Sequence, residues 1–154
     1  MRIAIGTDHR GFEAKTKLSE ALRADGHEVI DCGTNSPEPC DYPDPAFRVA
    51  SRVSHGQADR GVLICMSGIG MAIAANKVDG VRAGLCHKSA TAKLSREHND
   101  ANVLVLSSME ALEPMEVIVR AWLATPFEGG RHARRVDKIT LIENGQMHEE
   151  QESK

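Results

Sequence analysis

Residues 61–70 read GVLICMSGIG, and this stretch decides the fold that the sequence predicts. Its first five residues form an apolar run without polar alternation, which is typical of a parallel strand covered by helices on both faces. Two glycines follow, and a short helical pattern then continues from residue 69 to residue 76. A buried strand that passes through a glycine loop into a helix is the repeating unit of an α/β domain.

The same alternation extends outward from this unit in both directions. The predicted strands cover residues 3–5, 29–30, 61–65, 81–84 and 103–106, with helices at 14–22, 47–53, 69–76, 89–98 and 112–123. This order implies right-handed crossovers and an α/β fold with one doubly wound sheet of five parallel strands and flanking helices. Residues 32–45 hold four prolines and predict an irregular loop, whereas the basic segment 131–144 predicts a C-terminal helical arm.

The 154 residues fit one domain, which we place at residues 1–145, and a polar tail at 146–154 that we expect to be disordered. Lys and Arg number 19 against 22 Asp and Glu, so the chain lacks the basic excess of nucleic-acid-binding proteins. Neither a membrane-spanning apolar run nor a signal peptide is recognised. The four cysteines show no zinc spacing, so we expect free thiols in the cytoplasm. The seven histidines show no ligand spacing either, and we predict neither a metal nor a cofactor.

Ligands of open parallel sheets bind beyond the carboxyl ends of the strands, which selects the loops at residues 6–11, 65–70 and 107–109. In the second loop, glycines let backbone N–H groups approach an anion, and the start of a helix favours negative charge. We therefore expect a lowered pKa for the Cys65 thiol and a larger thiolate fraction. The alternative is that Cys65 is only a small buried apolar residue. A dinucleotide site is disfavoured, because Ile73 stands where its fingerprint requires Gly or Ala.

Three further features each allow a structural and a chemical interpretation. Asp8 can cap the helix that follows its loop, or it can carry a proton between substrate hydroxyls. His98 lies at the end of a predicted helix, where a histidine can simply complement the helix dipole. Arg131 and Arg135 lie four residues apart, so on a helix they form either a pair suited to a phosphate or a solvated basic face.

Six stretches of the chain together resemble the type B ribose-5-phosphate isomerases, a family that includes galactose-6-phosphate and allose-6-phosphate isomerases. The stretches are GTDHRGF at 6–12, DYP at 41–43, LIC at 63–65 with SGIG at 67–70, AANK at 74–77, REHNDANVL at 96–104 and EGGRH at 128–132. The resemblance runs from residue 3 to residue 143, and the combination of motifs is highly specific. It implies a Rossmann-like domain in a homodimer, sometimes a tetramer, that interconverts aldose and ketose phosphates without a metal.

The resemblance also implies roles for individual residues. Cys65 corresponds to the base that moves a proton between C1 and C2 of the open-chain sugar, and Asp8 to the group that shuttles the hydroxyl proton. Ser67, with the N–H groups of residues 66–70, would hold the enediolate oxygen. His98, reaching in from the partner subunit, resembles the residue that opens the sugar ring. The implied substrate-binding residues are His9, Tyr42, Met66, Gly68, Ile69, Gly70, Asn99, Arg131 and Arg135.

Two positions depart from the family pattern. Met66 stands where the family has a glycine, and it adds bulk beside the reacting carbons. Met109 stands where the family commonly has an arginine that contributes to phosphate binding, unless the change is only repacking of a loop. Met71 replaces a glutamate that some relatives use, so the chain resembles the cysteine-base branch. The expected reaction is ribose 5-phosphate to ribulose 5-phosphate. The alternatives are a tetrose phosphate such as erythrulose 4-phosphate, a hexose 6-phosphate, or a non-catalytic sugar-phosphate-binding protein.

Overall fold

A computed structural model describes residues 1–148 and contains one sheet of five parallel strands. The strands are β1 (Arg2–Thr7), β2 (Glu28–Asp31), β3 (Arg60–Cys65), β4 (Ala83–Leu85) and β5 (Val103–Ser107). They lie in the order β2-β1-β3-β5-β4, and each neighbouring pair is parallel. The predicted doubly wound α/β sheet is therefore confirmed.

Within residues 1–148, six α-helices connect or follow these strands. The helices are α1 (Phe12–Ala24), α2 (Pro43–Ser54), α3 (Ile69–Ala75), α4 (Ser89–Asn99), α5 (Met115–Leu123) and α6 (Arg131–Glu143). A 3₁₀ turn, His9–Gly11, joins β1 to α1. The predicted C-terminal helical arm is α6, and it begins at the residue that the sequence indicates.

Both faces of the sheet are covered, which explains the unbroken apolar run of β3. Val62 and Ile64 pack in a cluster with α1, α4 and α5, whereas Leu63 and Cys65 pack in a second cluster with α2 and α3. Burial of one such aliphatic side chain contributes about 1.5–3 kcal/mol. Because every residue of the run has a helix to face, the strand needs no polar alternation. The same packing fixes Cys65 on the α2–α3 side of the sheet.

One prediction fails at the end of the proline-rich loop. The helix α2 begins at Pro43, so the last three residues of the predicted loop are helical. Proline is tolerated in the first turn of a helix, where its missing N–H has no partner to lose. The start of the loop is held by Lys15, whose side chain is 2% exposed. Its Nζ lies 2.7 Å from both carboxylate oxygens of Asp31 and 2.7 Å from the carbonyl oxygen of Thr34.

The topology assigns each loop to one edge of the sheet. Crossover helices run antiparallel to parallel strands, so they begin at the carboxyl edge and end at the amino edge. The helix α3 starts directly after the loop that follows β3, and α4 ends just before β5 begins. The end of α4 therefore lies at the opposite edge of the sheet from Cys65.

The C-terminal part of the chain forms an exposed arm. In α6 only His132 is buried, and Ile139 and Ile142 are 44% and 61% exposed. Of the predicted tail, residues 149–154 lie outside the described residues. None of the helices in residues 1–148 has the length and apolar character needed to cross a membrane.

Candidate active site

The centre of the site is a contact between the ends of β1 and β3. The Cys65 thiol donates a hydrogen bond to Oδ2 of Asp8 over 3.2 Å. Both side chains are nearly buried, at 8% and 6% exposed. The other carboxylate oxygen of Asp8 accepts from the backbone N–H of Arg10 at 3.1 Å. Asp8 thus caps the 3₁₀ turn and also contacts the thiol, so the structural and the chemical interpretations of this residue are compatible.

The structure corrects the prediction about the charge of Cys65. Burial raises the pKa of the thiol, and the hydrogen bond to Asp8 and the charge of that carboxylate raise it further. The backbone N–H groups of Gly68 and Met66 favour the thiolate, as the glycine loop predicts, but their effect is smaller. The expected lowered pKa is therefore wrong. The resting pair is a thiol that donates to a carboxylate.

The glycine loop after β3 is held in a conformation that needs its glycine. Gly68 has φ = +80°, and a Cβ at this position would lie 2.5 Å from Cδ1 of Leu85. Ser67 is half-buried, and its Oγ accepts a long hydrogen bond of 3.4 Å from the N–H of Ile69. The hydroxyl and the loop N–H groups next to Cys65 form one cluster of donors at the carboxyl edge.

Two predicted binding residues reach this edge from neighbouring loops. Tyr42 packs directly on Gly70, where a Cβ would lie 2.6 Å from Cε2 of the tyrosine ring. His9 accepts a hydrogen bond through Nδ1 from the N–H of Cys40 at 3.3 Å. The loop after β2 and the loop after β1 are thereby joined beside the catalytic candidates.

The two unusual methionines also lie at this edge. The carbonyl oxygen of Met66 accepts from Oγ of Ser107 at 2.7 Å and from the N–H of Met109 at 3.2 Å. The side chains of both methionines are exposed, at 38% for Met66 and 64% for Met109. Arg10 places Nη1 2.8 Å from the Met66 sulfur. Sequence reasoning did not single out Arg10, although it lies in a loop that the sheet rule had selected.

The remaining predicted residues lie elsewhere. His98 and Asn99 end α4, and Arg131 and Arg135 are exposed on α6, which packs against that end. The fold therefore gathers Asp8, His9, Tyr42 and residues 65–70 at one edge of the sheet. It gathers His98, Asn99 and the two arginines at the other edge, apart from the first group.

Sequence reasoning missed two residues of this second group. The rings of His98 and His132 stack, with centroids 4.2 Å apart, and Nε2 of His132 lies 3.4 Å from Oε2 of Glu128. Burial lowers the pKa of His132, and the neighbouring His98 and Arg131 lower it further. No helical spacing signals this contact, because Glu128 precedes α6 and the two glycines between it and the helix have positive φ.

Two arginines bind the turn that ends α4, close to His98. Asp100 adopts a left-handed conformation with φ = +46°. Its Oδ1 lies 2.7 Å from Nη1 of the buried Arg96, and its Oδ2 lies 3.0 Å from Nη2 of Arg82. The same Arg96 Nη1 donates to the carbonyl oxygen of Ala101 at 2.7 Å. These charged hydrogen bonds hold the backbone directly after His98 in one conformation.

His98, Glu128 and His132 also bring three possible metal ligands within 4.8 Å of one another. However, the planes of the two imidazoles are only 7° from parallel. A ring nitrogen coordinates a metal through a lone pair in the plane of its ring, and one ion cannot lie in two stacked planes. In this arrangement the cluster does not form a metal centre.

The chain resembles known proteins over nearly its whole length. A family model described as Ribose/Galactose Isomerase matches residues 3–139. The ribose-5-phosphate isomerase B of Escherichia coli (strain K12) is 50% identical over 143 residues, which are 92% of this chain and 96% of that protein. A ribose-5-phosphate isomerase B structure from Clostridium thermocellum has a TM-score of 0.92 at 48% identity, covering 96% of this chain and 100% of that one.

A third relative links the fold to a ligand. The structure of ribose-5-phosphate isomerase B from Mycoplasma genitalium with bound ribulose-5-phosphate has a TM-score of 0.89 at 44% identity, covering 93% of this chain and 96% of that one. These matches span both the thiol–carboxylate pair and the histidine group on α4 and α6. The chain therefore belongs to the ribose/galactose isomerase family and is a sugar-phosphate isomerase.

Proposed function

We propose that this protein interconverts ribose 5-phosphate and ribulose 5-phosphate. The observation that carries the proposal is the pair of Cys65 and Asp8, a thiol and a carboxylate 3.2 Å apart beside a loop rich in N–H donors. Aldose–ketose isomerisation needs one group to move a hydrogen between adjacent carbons and another to move a proton between adjacent oxygens. The pair can supply both. The relatives named for ribose 5-phosphate support this choice of substrate.

The two side chains share one proton through the proposed cycle. The thiol first passes its proton to Asp8, and the thiolate then removes the hydrogen from C2 of the open-chain aldose while Asp8 protonates O1. The C2–H electron pair forms the C1–C2 double bond of an enediol. Asp8 next takes the proton from O2, and the Cys65 thiol returns the hydrogen to C1, which gives the ketose. The pair ends with the single proton with which it began.

Ser67 and the glycine loop would stabilise the negative charge that develops on the sugar oxygens. A donor of this kind contributes about 2.7–4 kcal/mol to the transition state. The donors proposed here are the hydroxyl of Ser67 and the N–H groups of Met66, Gly68, Ile69 and Gly70. In this proposal Tyr42, which packs on Gly70, lines the sugar site, and His9 would contact the phosphate.

We further propose that a second copy of the chain completes each site. His98, Asn99, Arg131 and Arg135 would come from the partner, to open the sugar ring, hold the enediol oxygens and bind the phosphate. Their place at the amino edge supports this, since they cannot reach Cys65 within one chain. Exposed isoleucines on two helices support it as well, because they offer apolar surface for contact between copies. They are Ile69 and Ile73 on α3, and Ile139 and Ile142 on α6. In a two-fold dimer such contacts form twice and create two equivalent sites, and pairing of dimers would give the tetramer.

Met66 favours one alternative substrate. Its side chain is 38% exposed next to Cys65, where it can shorten the space available to the sugar. A tetrose phosphate such as erythrulose 4-phosphate would then be a better substrate than a pentose phosphate. A panel of tetrose, pentose and hexose phosphates compared by kcat/KM decides between them. A higher value for the tetrose would replace ribose 5-phosphate in the proposal.

The cysteines support a proposal about the compartment. All four are free thiols, and Cys65 must stay reduced to act as a base. Reduced thiols persist in the cytoplasm, where glutathione and thioredoxin maintain them. We therefore propose that the enzyme works there.

Two variants test the shared site directly. Cys65→Ala should abolish turnover of ribose 5-phosphate and leave folding and sugar-phosphate binding intact, whereas full activity would show that another group is the base. His98→Ala should also lose most of this activity. When the two variants are mixed and allowed to exchange subunits, each mixed dimer regains one complete site, so about a quarter of the sites become active. If both residues act within one chain, mixing restores nothing.

A further inference from the structure

The stacked histidines differ in how firmly they are held. His132 is 3% exposed, and its Nε2 lies 3.4 Å from both Oε2 of Glu128 and Nε of Arg131. His98 is only partly buried, and one face of its ring rests on His132. One imidazole is therefore fixed by its surroundings, and it in turn limits the orientations open to the other.

The segment that carries His132 is fastened to α4 by contacts independent of the stack. The N–H of Glu128 donates to the carbonyl oxygen of Glu97 at 3.1 Å. The Nε of Arg96 donates to the carbonyl oxygen of Thr125 at 3.3 Å. Because these bonds join the stretches just before each histidine, the distance between the two rings is set by the backbone as well as by the rings themselves.

We propose that His132 is a positioning residue for ring opening. It holds the imidazole of His98 at a fixed angle, so that the uncovered edge of that ring reaches the sugar in the partner's site. Ring opening moves a proton from the anomeric hydroxyl to the ring oxygen, and this transfer requires hydrogen-bond reach. An imidazole free to rotate would lose that geometry. The inference rests on the proposed role of His98.

The chemistry of the substrates separates ring opening from isomerisation. Ribose 5-phosphate is mainly a closed ring in water. Ribulose 5-phosphate cannot close a five-membered ring, because its O5 carries the phosphate. The pair of Cys65 and Asp8 can therefore exchange the C1 hydrogen of the ketose with solvent without any ring-opening step. A residue that acts only through His98 must slow consumption of the aldose and spare exchange from the ketose.

Two substitutions of His132 and two rates test this. His132→Ala removes the stacked ring, whereas His132→Phe keeps a flat ring in its place. For His132→Ala we expect kcat with ribose 5-phosphate to fall about ten- to a hundredfold, the cost of a misplaced group. Deuterium incorporation into ribulose 5-phosphate in D2O, followed by NMR, should remain at the wild-type rate, and His132→Phe should recover most of the lost kcat. His27→Ala, directly before the outermost strand β2 and away from α4 and α6, is the matched control for loss of a histidine.

The positioning role of His132 and the ring-opening role of His98 can fail separately. If His98→Ala slows aldose consumption and His132→Ala does not, His132 has no positioning role and the inference fails alone. If His132→Ala and His132→Phe lose both rates together, the residue serves only packing, and the inference again fails. If His98→Ala itself leaves aldose consumption unchanged, the proposed role of His98 fails, and the inference fails with it.

Discussion

Replacing Asp8 by asparagine should make Cys65 more reactive and the enzyme slower. The carboxylate raises the pKa of the thiol through a hydrogen bond and through its charge. An amide of the same shape carries no charge, so the thiolate fraction at neutral pH rises when the carboxylate is removed. The amide also cannot accept the thiol proton in the proposed cycle, so turnover falls. Thiol reactivity and turnover should therefore move in opposite directions.

The separation of the two groups gives a lower limit for the effect. Two unit charges at the observed 3.2 Å repel each other by about 1.3 kcal/mol even with the screening of bulk water. Removing this repulsion raises the thiolate population by about tenfold. A thiolate of lower pKa is also a weaker nucleophile, and on a logarithmic scale this cancels about half of the rate increase that the larger thiolate population would give. We expect alkylation by iodoacetamide at neutral pH to become about threefold faster or more, while kcat falls by about a hundredfold or more.

The alkylation rate of Cys65 can be measured by mass spectrometry of its peptide, which separates it from the other three cysteines. The matched control is Asp25→Asn, because that carboxylate pairs with Arg120 and does not contact Cys65. The control should leave both rates unchanged. Slower or unaltered alkylation in Asp8→Asn would refute the reasoning, since the carboxylate would then not be what restrains the thiol.

Three further substitutions test the packing and charge around the site. Gly70→Ala places a Cβ 2.6 Å from the Tyr42 ring, so the ring must move. Steady-state kinetics should show a severalfold higher KM, with a stability loss of about 1 kcal/mol. Arg135→Ala should mainly raise KM, because a phosphate held equally in the ground and transition states contributes uniform binding; a large loss of kcat at unchanged KM contradicts that assignment. Lys15→Met keeps the buried aliphatic part of the side chain but removes the charge beside Asp31. Urea denaturation should show a free energy of unfolding lower by about 2 kcal/mol. An unchanged midpoint would mean that the ion pair contributes nothing.

The strands could be predicted from apolar runs because both faces of the sheet are buried, but some of their ends could not. The predicted strand 81–84 begins instead at Ala83. The N–H of Arg82 donates to Oδ1 of Asn102, and the N–H of Ala83 donates to Oδ1 of Asn76, each at 2.8 Å. These side chains hold the backbone just before strand pairing starts. Such contacts join distant parts of the chain, and local periodicity does not record them.

The contact between the two loops of the candidate site was also predictable, whereas its electrostatics were not. The rule for parallel sheets selected the loops that carry Asp8 and Cys65, and the structure brings them into contact. The pKa of the thiol is raised first by burial and then by the carboxylate of Asp8, and both depend on how distant parts of the chain pack. The glycine loop considered alone favours a thiolate, but the burial of Cys65 and its contact with Asp8 outweigh that effect. The stack of His98 on His132 was missed for the same reason, since it depends on how α6 packs against α4.

The topology that locates Cys65 also supports the proposal that a second copy of the chain completes the site. A residue that follows a strand lies at the carboxyl edge, and a residue at the end of a crossover helix lies at the amino edge. Cys65 follows the first pattern and His98 the second, whatever the details of packing. One chain holds these two groups at opposite edges of the sheet, so if both act on one small sugar as proposed, they meet across an interface. The subunit-mixing experiment tests this geometric argument, and it depends on neither the identity of the sugar nor the ionisation of any side chain.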